Sequence, residues 1–240
     1  MPKWPFVLES QPMSEKPLLL LASNSPRRRQ LLGMGGWSFA VQVADVDESQ
    51  LPGESAGDYV LRLAEAKARA SAEQAGEGQV VLAADTAVVD AGDILGKPRD
   101  ASDAVGMLKR LRGHTHQVFT GVALLRMRDS NLQTALTITD VPMRAYTDAE
   151  INAYVGSGDP LDKAGAYAIQ HTGFHPVEDL AGCYASVMGL PLCKVTALLH
   201  EFGISPETRV DLRCQESLEY QCAIASRELG GADRTIKGIE

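Results

Sequence analysis

Nothing in this 240-residue chain is apolar for long enough to cross a bilayer. The longest N-terminal run, Leu18 to Ala22, is about a quarter of the ~20 residues that a spanning helix requires. The opening MPKWPFVLESQPMSEKP is polar, carries Glu9 and Glu15, and lacks the apolar core of a secretory signal. A basic excess is missing too: 23 Lys plus Arg stand against 31 Asp plus Glu, a formal net charge of -8. That balance opposes general nucleic-acid binding, which displaces counterions with a basic surface, though it leaves room for one local phosphate pocket. The four cysteines (Cys183, Cys193, Cys214, Cys222) contain no CxxC pair, so a reduced thiol set is expected over disulfides. No HExxH, GxGxxG or Walker A sequence occurs, which removes support for a zincin, a Rossmann fold or a P-loop. What is left is a soluble, cytoplasmic globular protein. Its 45% hydrophobic and 22% charged residues suit that class, and its length suffices for a core without staples.

Strand and helix signals alternate along the chain. Residues 1–16 read as a loose leader. PLLLLA reads as a short buried strand that stops at Ser23-Asn24-Ser25-Pro26. Ser25 is then a helix N-cap and Pro26 the first helical residue, where its missing N–H costs nothing. SFAVQVADVDE alternates as a strand running into an acidic end. GDYVLRLAEAKARASAEQ reads as a helix with Val60, Leu63, Ala64 and Lys67 on one face. QVVLAADTAVV is strand-like on both sides of Asp85, and DASDAVGMLKRLRG is a helix closed by Gly113. HTHQVFTGVALLRM and LQTALTITDVPMRAY form two long strands about a turn at Arg128 to Asn131, and Thr147 with Glu150 makes a capping box. Gly158 to Gly182 is expected to be mostly loop with short strands, and Pro191 starts a last helix. The result is one α/β domain over 17–205. A C-terminal extension, 206–240, follows, with a thin stripe of Leu218, Cys222, Ala225 and Leu229 that is helical or partly disordered.

SNSPRRR carries the most chemistry. A helix N-terminus directs unpaired N–H groups and a positive dipole end outwards, and here Arg27, Arg28 and Arg29 crowd its first turn. Guanidinium groups grip phosphate oxygens bidentately, which suits a polyphosphate, although a basic surface turn has the same sequence. Asp85 interrupts an apolar stretch where an unpartnered carboxylate is costly. It could hold a divalent cation or take a proton from water, or be satisfied locally by Thr86 and backbone N–H groups. Lys67 and Lys97 could neutralise phosphate charge, with a snorkelling side chain as the plainer account of Lys67. Asp45, Asp47 and Glu48 form an acidic cluster open to a metal or simply to solvent. Gln170 has an amide able to read a base edge from its loop. His114 and His116, and His171 and His175, lack zinc-ligand partners, and Cys183 lacks a motif placing a base beside it.

Taken in order, LASNSPRRRQLL (21–32), Glu65-Ala-Lys67-Ala, Ala84-Asp85-Thr86, Gly96-Lys97-Pro98, Asp162-Lys163-Ala-Gly-Ala-Tyr-Ala-Ile-Gln170 and Val187-Met-Gly-Leu-Pro-Leu192 closely resemble the Maf family of nucleoside triphosphate pyrophosphatases over about 18–203. The resemblance implies an inosine-triphosphate-pyrophosphatase-like α/β fold, with an elongated, largely antiparallel mixed sheet flanked by helices and two lobes around a cleft. It implies a reaction that yields a nucleoside monophosphate and pyrophosphate, dependence on Mg²⁺ or Mn²⁺, and a homodimer. It makes Ser23, Arg27 and Arg28 the phosphate cradle, with Lys67 and Lys97 flanking the triphosphate. Asp85 becomes the general base close to the metal, and Glu48 a metal-side carboxylate. Arg28, Thr86 and Gln170 would tune base choice, and the Asp-Lys-Ala-Gly-Ala-Tyr loop resembles the branch acting on dTTP and UTP. Ala168 and His171 depart from the family, which usually has Gly there. A methylated or modified nucleotide, or a non-catalytic nucleotide-binding regulator of cell division, are the alternatives.

Overall fold

The computed structural model describes residues 18–43 and 45–225. The expected leader and residues 226–240 of the expected extension, Leu229 among them, lie outside the described residues. Within them, no helix is long and apolar enough to cross a membrane.

The sheet is mixed and largely antiparallel. Its order is β2 (Phe39–Val41), β1 (Leu19–Leu21), β3 (Val80–Asp90), β5 (Thr115–Arg126) and β6 (Asn131–Pro142), and β4 (Asp93–Leu95) pairs with β3 off this path. β1 runs parallel to β2 and β3, whereas β4, β5 and β6 are antiparallel to their neighbours. The anticipated strand over SFAVQVADVDE shrinks to Phe39–Val41. Its partner β1 is only three residues long and leaves nothing further to pair with.

Period-2 alternation along β3 sorts its side chains onto two covers. Val80, Leu82, Ala84 and Val88 face the larger core, where α1 (Pro26–Gly33), α3 (Ala101–Leu111), α4 (Asp148–Gly156), α5 (Tyr184–Val187) and α6 (Leu192–Glu201) pack. Val81, Ala83, Ala87 and Val89 face α2 (Ala56–Ala72), which covers the opposite side with Val60, Ala64 and Ala68. α2 lies very close to the sheet. A Cβ on Gly121 of β5 would stand 2.6 Å from the Val60 carbonyl oxygen, so only glycine admits the helix there.

β3 also has a gap along one edge. Leu82 is the last residue in register with β1, and Val88 is the first in register with β4. Residues 83–87 therefore have a strand neighbour, β5, on one side only.

Between Gly158 and Gly182 the expected short strands are absent. The segment forms two 3₁₀ turns, Asp159–Asp162 and Ala164–Ala166, and a single bridge from Val177 to Met143. Past α6, α7 (Val210–Ser217) packs against it, and Leu218 and Cys222 of the expected stripe follow that helix rather than line it.

Candidate active site

The gap in β3 collects the sequence-marked residues from both sides. The chain leaving β1 makes the Ser23-Asn24-Ser25 turn, and the chain leaving β4 makes the Gly96-Lys97-Pro98 turn. Asp85 and Thr86 sit in the gap itself. Because successive strand residues point oppositely, Asp85 faces α2 and Thr86 faces α1.

On the α2 side, the helix stripe brings Lys67 two turns along from Val60 to the sheet. Its Nζ lies 2.6 Å from Asp85 Oδ1 and 2.6 Å from Glu48 Oε1. Glu48 comes from the loop before α2, which is tied down by Tyr59 Oη donating to the Glu48 carbonyl (2.9 Å) and Arg62 donating to the Ser49 carbonyl (3.0 Å). Asp85 and Lys67 are largely buried, with side chains 11% and 14% exposed. Burial pushes the Asp85 carboxyl above its usual range. Lys67 and Arg28 oppose that shift and Glu48 adds to it. Burial acts upward on Glu48 too, but the Lys67 hydrogen bond and the charges of Lys67, Lys97 and Arg28 carry it below its usual range. Of the acidic cluster, only Glu48 joins the site. Asp47 instead accepts from Ser49 N (2.9 Å), and Asp45 is exposed.

On the α1 side the cation is held differently. Ser25 caps α1, accepting from Arg28 N, with Pro26 first in the helix. Arg28 then donates from Nε to Gly189 O (2.9 Å), from Nη1 to Ser23 Oγ (3.3 Å) and from Nη2 to Thr86 Oγ1 (3.2 Å). Three of the five guanidinium N–H groups are taken, and one remains on each Nη. Burial lowers its pKa, opposed by the charges of Asp85 and Glu48. Behind Thr86 runs a hydroxyl chain: Thr86 Oγ1 and Thr120 Oγ1 are 3.1 Å apart, and Thr120 donates to the Ser186 carbonyl (2.8 Å). Gly189 has φ +110°, and a Cβ there would stand 3.2 Å from Thr86 Oγ1 and 3.3 Å from Arg28 Nε. Glycine is what lets the carbonyl come this close.

Arg27 and Lys97 form no salt bridge among the described residues. The Arg27 charge reaches Asp162 and Tyr154, which places it toward the Asp162-Lys163 turn. Lys97 is exposed beside Glu48. Its turn is tied to that same loop by Gly165 N donating to Gly96 O (3.1 Å), and Gly165 has φ +68° against Val88. Arg29 turns away and donates to Asn24 O (3.3 Å).

Gln170 is half-buried on a turn and makes no side-chain hydrogen bond to the Arg28 set among the described residues. Nearby, His171 Nδ1 accepts from Phe174 N (2.9 Å) and its ring packs edge-on against Tyr154 at 4.6 Å. His171 is thus built into the fold. The acceptors that sequence reading did not single out are Thr120 and the Ser186 and Gly189 carbonyls. The Val187-Met-Gly-Leu-Pro segment was the only signal near them.

The family described as "Maf-like protein" matches residues 18–202. A protein named "dTTP/UTP pyrophosphatase" from Anaeromyxobacter dehalogenans (strain 2CP-C) is 53% identical over 190 residues, 78% of this chain and 95% of that protein. One of the same name from Hahella chejuensis is 50% identical over 188 residues, 78% of this chain and 92% of its own length. Among solved structures, a HAM1 protein from Coxiella burnetii overlaps 53% of this chain and 73% of its own, at 18% identity and a TM-score of 0.39.

Proposed function

The chain belongs to the Maf-like family, and on that premise we propose that it hydrolyses nucleoside triphosphates, dTTP and UTP first, between the α and β phosphates, releasing a nucleoside monophosphate and pyrophosphate. The observation that carries the reading is the buried Asp85 carboxylate, aligned by Lys67 at 2.6 Å in the open stretch of β3, with the Arg28 guanidinium on the opposite face of the same strand.

Asp85 is the general base. It takes a proton from a water that attacks the α-phosphorus, and the α–β bridging bond breaks as pyrophosphate leaves. Negative charge grows on that leaving group. Arg28 meets it with its two remaining N–H groups, and Arg27 and Lys97 meet it with charges that form no salt bridge among the described residues. Ser23 and Thr86 keep Arg28 in place during the reaction. Arg28, Thr86 and Gln170 face the choice of base, with Gln170 supplying an amide that no other side chain of the set occupies.

The donor chemistry suits a divalent cation, Mg²⁺ or Mn²⁺. Glu48 and Asp85 both contact Lys67 Nζ at 2.6 Å, so the two carboxylates converge on one point and would hold the ion there together with substrate phosphates. When bound, such an ion neutralises phosphate charge beside the Lys67 ammonium. The same reading puts the protein in the cytoplasm, supported by four cysteines outside any disulfide, and makes it a homodimer.

The test is pyrophosphate release from a panel of nucleoside triphosphates with Mg²⁺ or Mn²⁺, wild type beside Asp85→Asn. Release from dTTP and UTP that the variant loses is the expected result. Release from another nucleotide moves the specificity and keeps the chemistry. Binding without any release overturns the proposal in favour of a regulator.

A further inference from the structure

The segment after residue 202 lies beyond the stretch matched by the family and folds back over the domain at two places. Glu207 N donates to Gly35 O (3.1 Å) and Thr208 Oγ1 to Met34 O (2.9 Å), just past α1. The Tyr220 hydroxyl lies 2.8 Å from Leu180 O and 2.9 Å from Gly182 O, just before α5. These are the two flanks of the Arg28 seat, since α1 carries Arg28 and α5 leads to Gly189.

Under this strap the chain's four cysteines meet. Cys183 and Cys193 from the domain, and Cys214 and Cys222 from the extension, line one small cavity with Leu192 and Leu218. Among the described residues no three His, Cys, Asp or Glu side chains are disposed to hold a metal ion, so the cluster is not arranged as a tetrathiolate centre. The Cys183 thiol is hydrogen-bonded to Cys222, and these two also share a second small cavity with Pro191 and Cys193 that Cys214 does not line. We propose that Cys183 and Cys222 join in a disulfide when the protein meets a hydroperoxide, fastening the C-terminal extension covalently to the domain.

The two thiols have unequal roles. Cys183 is buried, and the hydrogen bond to Cys222, with burial, holds its thiol protonated well above the usual range. Cys222 is half-buried and is the attacking group. Its thiolate sulfur attacks one peroxide oxygen. The O–O bond breaks, the other oxygen takes a proton and leaves as water or an alcohol, and Cys222 becomes a sulfenic acid. The Cys183 sulfur then attacks the Cys222 sulfur. The S–S bond forms as the S–O bond breaks, and hydroxide leaves as water with the Cys183 proton. Two electrons pass from the two sulfurs to one peroxide. Cys183 Sγ also accepts from Ser186 N (3.4 Å) at the cap of α5, so the new bond attaches directly to the element that leads to Gly189.

The experiment treats the full chain with excess hydrogen peroxide, alkylates it under denaturing conditions and maps it without reduction. The expected result is a loss of two of the four titratable thiols and a Cys183–Cys222 peptide pair that reductant separates. Cys222→Ser and Cys183→Ser abolish the pair, whereas Cys214→Ser keeps it. Unchanged activity of reduced Cys222→Ser confirms that this variant folds. Four persisting thiols, a link through Cys193 or Cys214, over-oxidation of Cys222 without a link, or stoichiometric zinc shielding all four sulfurs would each overturn the proposal.

Discussion

Asp85 and Thr86 are adjacent in the chain, yet the two faces of β3 treat their cations in opposite ways. On the Asp85 face, the Lys67 ammonium is flanked by two carboxylates, so its charge is more than cancelled locally. On the Thr86 face, Arg28 is held by a carbonyl and two hydroxyls, all neutral, so it is fixed in place while its charge stays uncancelled at contact range. A guanidinium seated by neutral acceptors is preorganised for an anion, because nothing has to leave before phosphate arrives. The Lys67 set instead pairs one ammonium with two carboxylates, which in the proposed reaction serve a cation and a water. In the proposed reaction the strand thus separates holding the substrate from transforming it.

The sharpest way to break that division is Asp85→Asn. It should lower kcat about 10³-fold while leaving KM within about threefold, the signature of a lost base. Steady-state pyrophosphate release gives both constants, and a matching collapse of affinity would erase the distinction between the faces. Next comes Arg28→Lys. An ammonium cannot reach Gly189 O, Ser23 Oγ and Thr86 Oγ1 together, so KM should rise roughly 30- to 100-fold with a smaller change in kcat.

The pH dependence sharpens the same contrast. As the proposed base, Asp85 works only when ionised, and burial holds its pKa above the usual carboxylate range, so the acid limb of kcat/KM should inflect above that range. Lys67→Met removes the largest opposing charge and should move the inflection up by about one unit, roughly tenfold in rate within the limb. For stability the sign runs the other way. With the folded pKa above the unfolded one, the native state binds more protons between the two values, so stability falls as pH rises through that window and stays lower above it. Asp85→Asn should therefore melt about 2–4 °C above wild type at pH 7, with the difference closing below pH 4. Calorimetry at both pH values decides it.

Much of this site could be read from spacing. Ser25 and Pro26 announce a helix start, Lys67 falls on the apolar stripe of α2, and Asp85 stands out as a carboxylate in a strand that is otherwise buried. Each of those signals is local. What was not legible depends on pairing between distant segments. The short β1 and the late start of β4 open the gap at residues 83–87, and no pattern within β3 reveals it. The choice of Glu48 over Asp45 and Asp47 rests on how Tyr59 and Arg62 pin a loop. The carbonyls of Ser186 and Gly189 have no side-chain signature at all, since any residue supplies a C=O. Gln170 illustrates the converse: its type suggests recognition, and its place on the turn leaves it outside the Arg28 hydrogen-bond set.

The smallest effect is the most discriminating. Thr86→Val keeps the shape and removes one hydroxyl, which is both an acceptor for Arg28 Nη2 and a link to Thr120. A single hydrogen bond to a charged group is worth about 1.5 kcal/mol, so KM should rise roughly tenfold. Thr86 and Ser23 share Arg28, so Thr86→Val and Ser23→Ala should be strongly non-additive, because the first loosens what the second would release. Thr86→Val and Lys67→Met act on opposite faces with no shared hydrogen-bond partner, and their effects on kcat/KM should come closer to additivity than those of the same-face pair. If the cross-strand pair couples as strongly as the same-face pair, Asp85 and Thr86 belong to one network, and β3 does not insulate substrate holding from proton transfer.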